Sequence, residues 1–270
     1  MYTQEIIYLY QEEGYSLNRL SNKFNYAKQK IKDILITHNV RIRTRGEQTR
    51  ITNQLRGQKV NHNFFDTIDT NEKAWLLGFL AADGSVSSNR NQIKIALSSV
   101  DKEILEKIQN LIGSERKICD YETNQGFHVS ELSWSSAKHK EELSKYYIVP
   151  RKTYKPMHLV NFDDDIDKKI SFILGYFDGD GCFRDDDKYC RLEICSYRCE
   201  LLEDFAKVIG DFTGDVKSVY KDKSRMNYYT LTYSTETVIK FLDYAYSKNS
   251  IFLQRKYNKY QNWLIKNKRI

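Results

Sequence analysis

Two stretches of the chain are apolar at almost every position: Trp75-Leu-Leu-Gly-Phe-Leu-Ala-Ala-Asp-Gly84 and Phe172-Ile-Leu-Gly-Tyr-Phe-Asp-Gly-Asp-Gly181. A helix that is apolar nearly all round has to be buried on several sides, so each stretch predicts a central helix ending at a carboxylate and a glycine. They lie 97 residues apart, the separation of Asp83 from Asp180. Small residues recur at i and i+4, Gly78 with Ala82 and Gly175 with Gly179, which places each pair on one helix face. Two such faces let two backbones approach closely, and packing along them brings Asp83 and Asp180 together at one end. Gly84 and Gly181 are expected to leave the helices in the left-handed conformation.

The same spacing organises the segments after each helix. Residues 92–98 alternate as a strand, with Ile93, Ile95 and Leu97 inward and Gln92, Lys94 and Ser98 outward, and residues 101–112 read as a helix ended by Gly113. The 97-residue shift lays residues 189–195 on that strand, with Tyr189, Arg191 and Glu193 outward, and residues 198–209 with Gly210 on that helix. Residues 132–136 and 231–235 give later strands, each leading into another helix. The expected class is therefore α+β, a duplicated αββαββα unit with halves at residues 66–160 and 161–270. Outward strand positions of the two sheets would form a basic, polar saddle, a surface suited to base edges in a major groove.

The beginning of the chain has a different period. Ile6, Leu9 and Tyr10 recur at helical spacing, Gly14 ends that helix, and Ser16 caps a second through Leu17, Leu20 and Phe24. Asn25 and Tyr26 turn into a third helix carrying Ile31, Ile34 and Leu35. Residues 1–45 thus predict a small all-α helix-turn-helix domain whose third helix presents Lys28, Gln29, Lys30 and Lys32 to DNA; a helical cap with a solvated basic face is the alternative. Arg41, Arg43 and Arg45 lead into a basic linker over residues 46–65, with Arg50, Arg56 and Lys59. It would track a nucleic-acid backbone, enter a minor groove, or simply be solvated.

Paired carboxylates repel, so Asp83 and Asp180 call for a shared proton or for divalent metal, which can clamp the attacking and leaving oxygens of a phosphodiester. Here the residues carry a family resemblance. Leu76 to Gly84 and Ile173 to Gly181 resemble the two signature helices of a monomeric LAGLIDADG homing endonuclease; the first copy departs from the pattern at Ala81, where the family usually has an Asp. The resemblance covers residues 66–270 and implies the duplicated αββαββα core. It further implies that Asp83 and Asp180, with the carbonyls of Ala82 and Gly179, hold two or three divalent ions, Mg²⁺ being expected. Lys152 and Lys256, from the related fragments Pro150-Arg-Lys-Thr-Tyr154 and Gln254-Arg-Lys-Tyr257, would be the catalytic basic residues near the two cleavage sites, with Lys155 and Lys259 close by. The implied activity is metal-dependent, site-specific cutting of double-stranded DNA by a monomer, one phosphodiester on each strand across the minor groove of a long asymmetric target. Two alternatives share the fold: a catalytically silent DNA-binding regulator, marked by loss of an acid, and an intron RNA maturase, marked by tighter binding of intron RNA than of duplex DNA.

Composition narrows the field. At 270 residues the chain has room for two or three domains, and a net charge of +7 with pI near 8.9 favours a polyanionic partner. Twenty tyrosines suit a nucleic-acid surface but equally a sheet or core. No basic n-region opens the chain and no apolar run is long enough to span a bilayer, so an intracellular, cytoplasmic protein without membrane attachment is expected. Five cysteines suggest free thiols; Cys182, Cys190, Cys195 and Cys199 lack a C-x₂-C pair, and zinc is not expected. The acidic run from Asp178 to Asp187 is no EF-hand, because Cys182 and Phe183 stand where that loop needs a ligand and its turn glycine. Asn61-His62-Asn63 has no metal partner in sequence, and no Walker A pattern is present.

Overall fold

The computed structural model describes residues 2–55 and 60–269 and divides the chain into two compact units, residues 1–59 and 60–270. In the first unit α1 (Thr3–Gln11), α2 (Leu17–Phe24) and α3 (Lys28–Thr37) enclose Ile6, Leu9, Tyr10, Leu20, Ile31 and Leu35. The Ser16 hydroxyl accepts the Arg19 N–H at 3.1 Å, and Asn25 turns the chain at φ 52°, so both local signals act as expected.

A fourth helix, α4 (Arg45–Leu55), occupies the segment expected as linker. Its start is a capping box: Thr44 Oγ1 accepts the Glu47 N–H at 3.2 Å, and Glu47 Oε2 accepts the Thr44 N–H at 2.8 Å. The other end of that expected linker is also structured, since Val60, Phe64 and Phe65 are buried in the core of the second unit. Arg56 and Lys59 lie outside the described residues.

The second unit runs α5 (Asn71–Ala82), β1 (Gly84–Val86), β2 (Gln92–Ser98), α6 (Lys102–Leu111), β3 (Cys119–Glu122), β4 (His128–Ser135) and α7 (Ala137–Lys145). The order then repeats as α8 (Ile166–Asp180), β5 (Gly181–Asp186), β6 (Tyr189–Ser196), α9 (Cys199–Thr213), β7 (Tyr220–Lys221), β8 (Tyr229–Ser234) and α10 (Thr235–Lys248), followed by α11 (Gln254–Lys266). Two antiparallel sheets result, ordered β1-β2-β4-β3 and β5-β6-β8-β7. The duplicated αββαββα core is therefore present, with α5 and α8 at its centre.

The repeat is not a single shift. Ile93 faces Trp134 whereas Leu192 faces Tyr233, so β2 and β4 correspond to β6 and β8 at 99 residues, while α6 corresponds to α9 at 97. The second half has a longer hairpin and a shorter junction before its next helix. An offset of two residues leaves each side chain on the same face of a strand, so Lys94, Arg191 and the other outward positions stay outward. Residue 210 also differs from expectation: α9 continues through Gly210 and is closed by Gly214 at φ 84°.

Candidate functional site

The site begins with the helix pair. Thr70 caps α5 by accepting the Lys73 N–H at 3.3 Å, and Asp165 caps α8 by accepting the N–H groups of Asp167 and Lys168 at 3.0 and 3.2 Å. Along their length the helices touch backbone to backbone. A Cβ at Gly78 would stand 1.9 Å from the Phe172 oxygen, and one at Gly175 1.9 Å from the Trp75 oxygen. At the end of the pair a Cβ at Gly179 would stand 2.4 Å from Ala82 Cβ and 3.2 Å from the Asp83 carboxylate. The small faces thus meet in parallel, and the Asp83 and Asp180 ends are level.

Gly84 and Gly181 do not adopt the left-handed conformation. Gly181 is extended at φ −97°, and neither glycine has a positive φ. What excludes a side chain is crowding by the last helical turn: a Cβ would fall 2.5 Å from the Leu80 oxygen at Gly84, and 2.2 Å from a Phe177 ring carbon at Gly181.

Burial, joined by the Asp180 charge, raises Asp83 to about 6. Burial also raises Asp180, with Lys152 and Arg198 pulling the other way. Lys152 and Lys256 are themselves buried and lowered to about 8 by desolvation. Lys152 Nζ donates to the Ala82 carbonyl at 2.8 Å; Lys256 Nζ donates to the carbonyls of Phe177, Asp178 and Gly181 at 2.5, 2.9 and 2.5 Å. Each lysine therefore donates to carbonyls at the end of a central helix, and the Ala82 carbonyl is already engaged.

The two lysines, read from similar fragments, sit on different scaffolds. Lys256 is in the first turn of α11, whereas Lys152 is in a 3₁₀ turn over Lys152–Tyr154. Pro156 forces Lys155 into extended backbone, φ −116° and ψ 147°, so no helix can form there.

Several participants were missed by sequence reasoning. Arg198, 6% exposed, donates to the Ala81 carbonyl at 3.3 Å, the Tyr176 hydroxyl at 3.2 Å, Met157 Sδ at 3.2 Å and Ser196 Oγ at 3.5 Å. It lines a cavity of about 250 Å³ with Lys152, Tyr176, Asp180, Cys195 and Tyr228. Asp178 is fully buried; its Oδ2 accepts Trp75 Nε1–H at 2.9 Å and the Leu253 N–H at 3.0 Å, and burial raises it to about 6. The signal available in sequence was that Asp178 has no counterpart, because Ala81 stands in its place.

The residues expected to read DNA divide into two groups. On the sheets, Gln92, Lys94, Ser98, Tyr189, Arg191 and Glu193 do lie on outward faces. Those faces are polar but not basic as expected: Lys94 pairs with Glu131 at 3.2 Å, Arg184 with Glu193 at 3.3 Å, and Arg191 with Asp186 at 3.6 Å. In the first unit Lys28, Gln29 and Lys30 are exposed and Lys32 is half-buried. Arg41 is paired with Glu47 at 2.5 Å, and Arg45 is exposed at the start of α4. Arg43 is not an open contact. Its guanidinium lies over the Tyr10 ring at 3.8 Å and donates to the Tyr10 and Tyr15 carbonyls at 2.5 and 3.0 Å, so it belongs to the unit's own core. His62 bonds Ser136 Oγ at 2.9 Å and His139 Nε2 meets the Asn61 carbonyl at 2.7 Å, which ties residues 61–62 to α7.

Among the described residues no group of three or more His, Cys, Asp or Glu is placed to hold a metal, and Cys190 is buried while Cys182 is exposed. Residues 70–118 and 167–245 match the model of a LAGLIDADG-like domain. The chain carries a LAGLIDADG-like domain. The chain is similar to the homing endonuclease I-WcaI, solved bound to its DNA recognition sequence, at 12% identity over 72% of this chain and 89% of that one, with a TM-score of 0.51. Weaker likenesses are to mesophilic variants of the homing endonuclease I-DmoI, at 17% identity, 74% and 99% coverage and TM-score 0.48, and to the N-terminal LAGLIDADG domain of DUF199/WhiA, at 16%, 68% and 87%, and 0.45. The likeness to I-WcaI concerns the fold alone. No curated protein sequence matches the chain. No described helix is long and apolar enough to cross a membrane.

Proposed function

We propose that this chain is a monomeric, site-specific endonuclease that cuts both strands of a DNA duplex, with Asp83 and Asp180 as the acids on which the activity depends. The observation that carries the reading is the level, parallel ending of α5 and α8, which sets two carboxylates together where burial and mutual repulsion push Asp83 to about 6. Such a pair favours a hard divalent cation. Mg²⁺ is commonly held by one or two carboxylates, with water and substrate phosphates completing its shell, so a pair of acids suffices for it. Asp83 and Asp180 would hold the ion, with the Gly179 carbonyl and, once released by Lys152, that of Ala82. When bound, it supplies an activated water and charge stabilisation at the phosphodiester.

The protein's own residues do the remaining work. Lys152 and Lys256, one on each side of the pair, can offset negative charge developing on a phosphate of each strand. Lowered to about 8, both keep most of their charge at neutral pH while remaining able to exchange a proton near it. The outward strand residues supply sequence reading, the half-different faces implying a long asymmetric target, and the N-terminal helices with Lys28, Gln29, Lys30 and Lys32 supply a further DNA contact. The test is incubation of the full chain and Mg²⁺ with a library of randomised duplexes. Metal-dependent cutting at a shared sequence, lost in Asp83→Asn, supports the reading; binding of duplex without cutting in Mg²⁺ or Mn²⁺ leaves a silent DNA-binding protein instead, and preference for structured intron RNA a maturase.

A further inference from the structure

The two acids are not served alike. Beside Asp180 stand Lys152 and Arg198, both of which oppose the rise in its pKa and so favour its charged form. Arg198 is the N-cap residue of α9. The N-cap residue of the equivalent helix α6 is Asp101, of opposite charge and 9% exposed. No arginine can therefore reach the Asp83 side from that position.

One arrives from elsewhere. Asp101 grips Arg255, whose Nε lies 3.0 and 2.9 Å from its two carboxylate oxygens. Arg255 precedes Lys256 in the first turn of α11, and its charge, like that of Lys256, lowers Asp83. Lys152 and Lys256 act on both acids, but the guanidinium beside each comes from a different place in the fold: Arg198 from the start of α9, and Arg255 from α11, held by Asp101 at the matching position of α6.

Their hydrogen bonding differs too. The nitrogens of Arg198 are taken up by Ser196, Met157, Ala81 and Tyr176. Arg255 is held through Nε, and its side chain is 55% exposed. A guanidinium gripped at Nε keeps its two terminal amino groups for a pair of oxygens, the fork geometry that suits a phosphate.

We propose that Arg255 binds the phosphate of the strand cut on the Asp83 side, replacing the arginine that the fold supplies at position 198 on the other side, and that Asp101 is its positioning residue. This assignment rests on the endonuclease reading. An ion pair that merely fastens α11 to α6 would not distinguish one DNA strand from the other.

The experiment uses the full chain, Mg²⁺, and a duplex recovered from the randomised library, with a different dye on each strand. Arg255→Ala is expected to slow one strand by roughly tenfold or more, the scale of a lost charge-stabilising donor, and to leave the other within about twofold, so that nicked duplex accumulates. Asp101→Asn should slow the same strand less, and the double variant should be no slower than Arg255→Ala, because Asp101 acts through Arg255. Arg255→Lys keeps charge without the fork and should stay slow. Affinity for the duplex gives a second readout that does not need cutting: Arg255→Ala should measurably reduce the slope of log K against log salt, by up to about one unit because Arg255 is already paired with Asp101. Equal slowing of both strands, additive effects in the double variant, or an unchanged salt slope would overturn the assignment. A wild-type chain that leaves the whole library uncut overturns the endonuclease reading itself, a result distinct from strand-balanced cutting by Arg255→Ala.

Discussion

The halves of the core share an order of elements and a sheet topology, yet they hold their functional side chains by different means. In the second half Lys256 rides on a regular helix, anchored at its start by the buried Asp178 and reaching three carbonyls. In the first half Lys152 rides on a 3₁₀ turn between two prolines, bonds one carbonyl, and belongs to the half with Ala81 where the other has its acid. The difference teaches that duplication preserved the scaffold and the level helix ends, while each flank was free to find its own way of bringing cations to the acids. The centre is symmetric because two backbones in contact constrain each other reciprocally; the flanks carry no such constraint.

Four further experiments would break or sharpen that comparison. The largest effect is expected at its symmetric part: Asp83→Asn and Asp180→Asn should each lower cutting of both strands by roughly a hundredfold or more, since several kcal/mol of charge stabilisation are lost with either acid. Retention of DNA binding, measured by gel shift, separates this from unfolding; cutting of one strand alone by either variant would show two independent centres.

Next comes the helix contact. Gly78→Ala and Gly175→Ala each force a methyl group to 1.9 Å from an opposing carbonyl oxygen, so the helices must separate. Each should cost roughly 3 kcal/mol or more in denaturant titration, and to a similar extent. A large inequality would mean that the pair is less symmetric than its contacts indicate.

A smaller effect, opposite in sign, is expected at Asp83. Its folded pKa, raised to about 6, means that its stabilising contribution is present below the unfolded value near 4 and is lost as pH rises through 6. At pH 7 without metal, Asp83→Asn should therefore be more stable than wild type by roughly 1–2 kcal/mol, and the gap should close below pH 4. Added Mg²⁺ should raise the melting temperature of wild type and not of the variant. Equal melting of the two proteins at pH 7, with or without Mg²⁺, would count against a strained carboxylate pair.

The smallest effect concerns the outer faces. Because their cations are already paired with Glu131, Glu193 and Asp186, DNA must displace acids rather than only counterions. Lys94→Ala and Arg191→Ala are each expected to change the salt slope of duplex binding by less than about one unit, where an open phosphate contact would give about one. Deleting residues 1–59 should reduce that slope further and shorten the footprint at one end, with the cut positions unchanged.

The sequence by itself determined the two central helices, the small residues that let them touch, the alternation that sets inward and outward strand faces, and the Ser16 cap. These are short-range properties, written in period and local chemistry, and a repeat at nearly constant spacing shows them twice. It also contained the Thr44–Glu47 capping box, hidden inside a polar, basic segment. It was left to the tertiary structure which polar groups meet: Arg198 with the Ala81 carbonyl, Asp101 with Arg255, Asp178 with the Trp75 and Leu253 N–H groups. It decided too that Arg43 is a core residue, that Gly84 and Gly181 are required by crowding rather than by φ, and that the sheet faces are charge-paired. Such partners lie far apart along the chain and become neighbours through the packing of the two halves or of helices against one another. No local pattern encodes that geometry, because a side chain's partner depends on where the backbone places both ends of the contact.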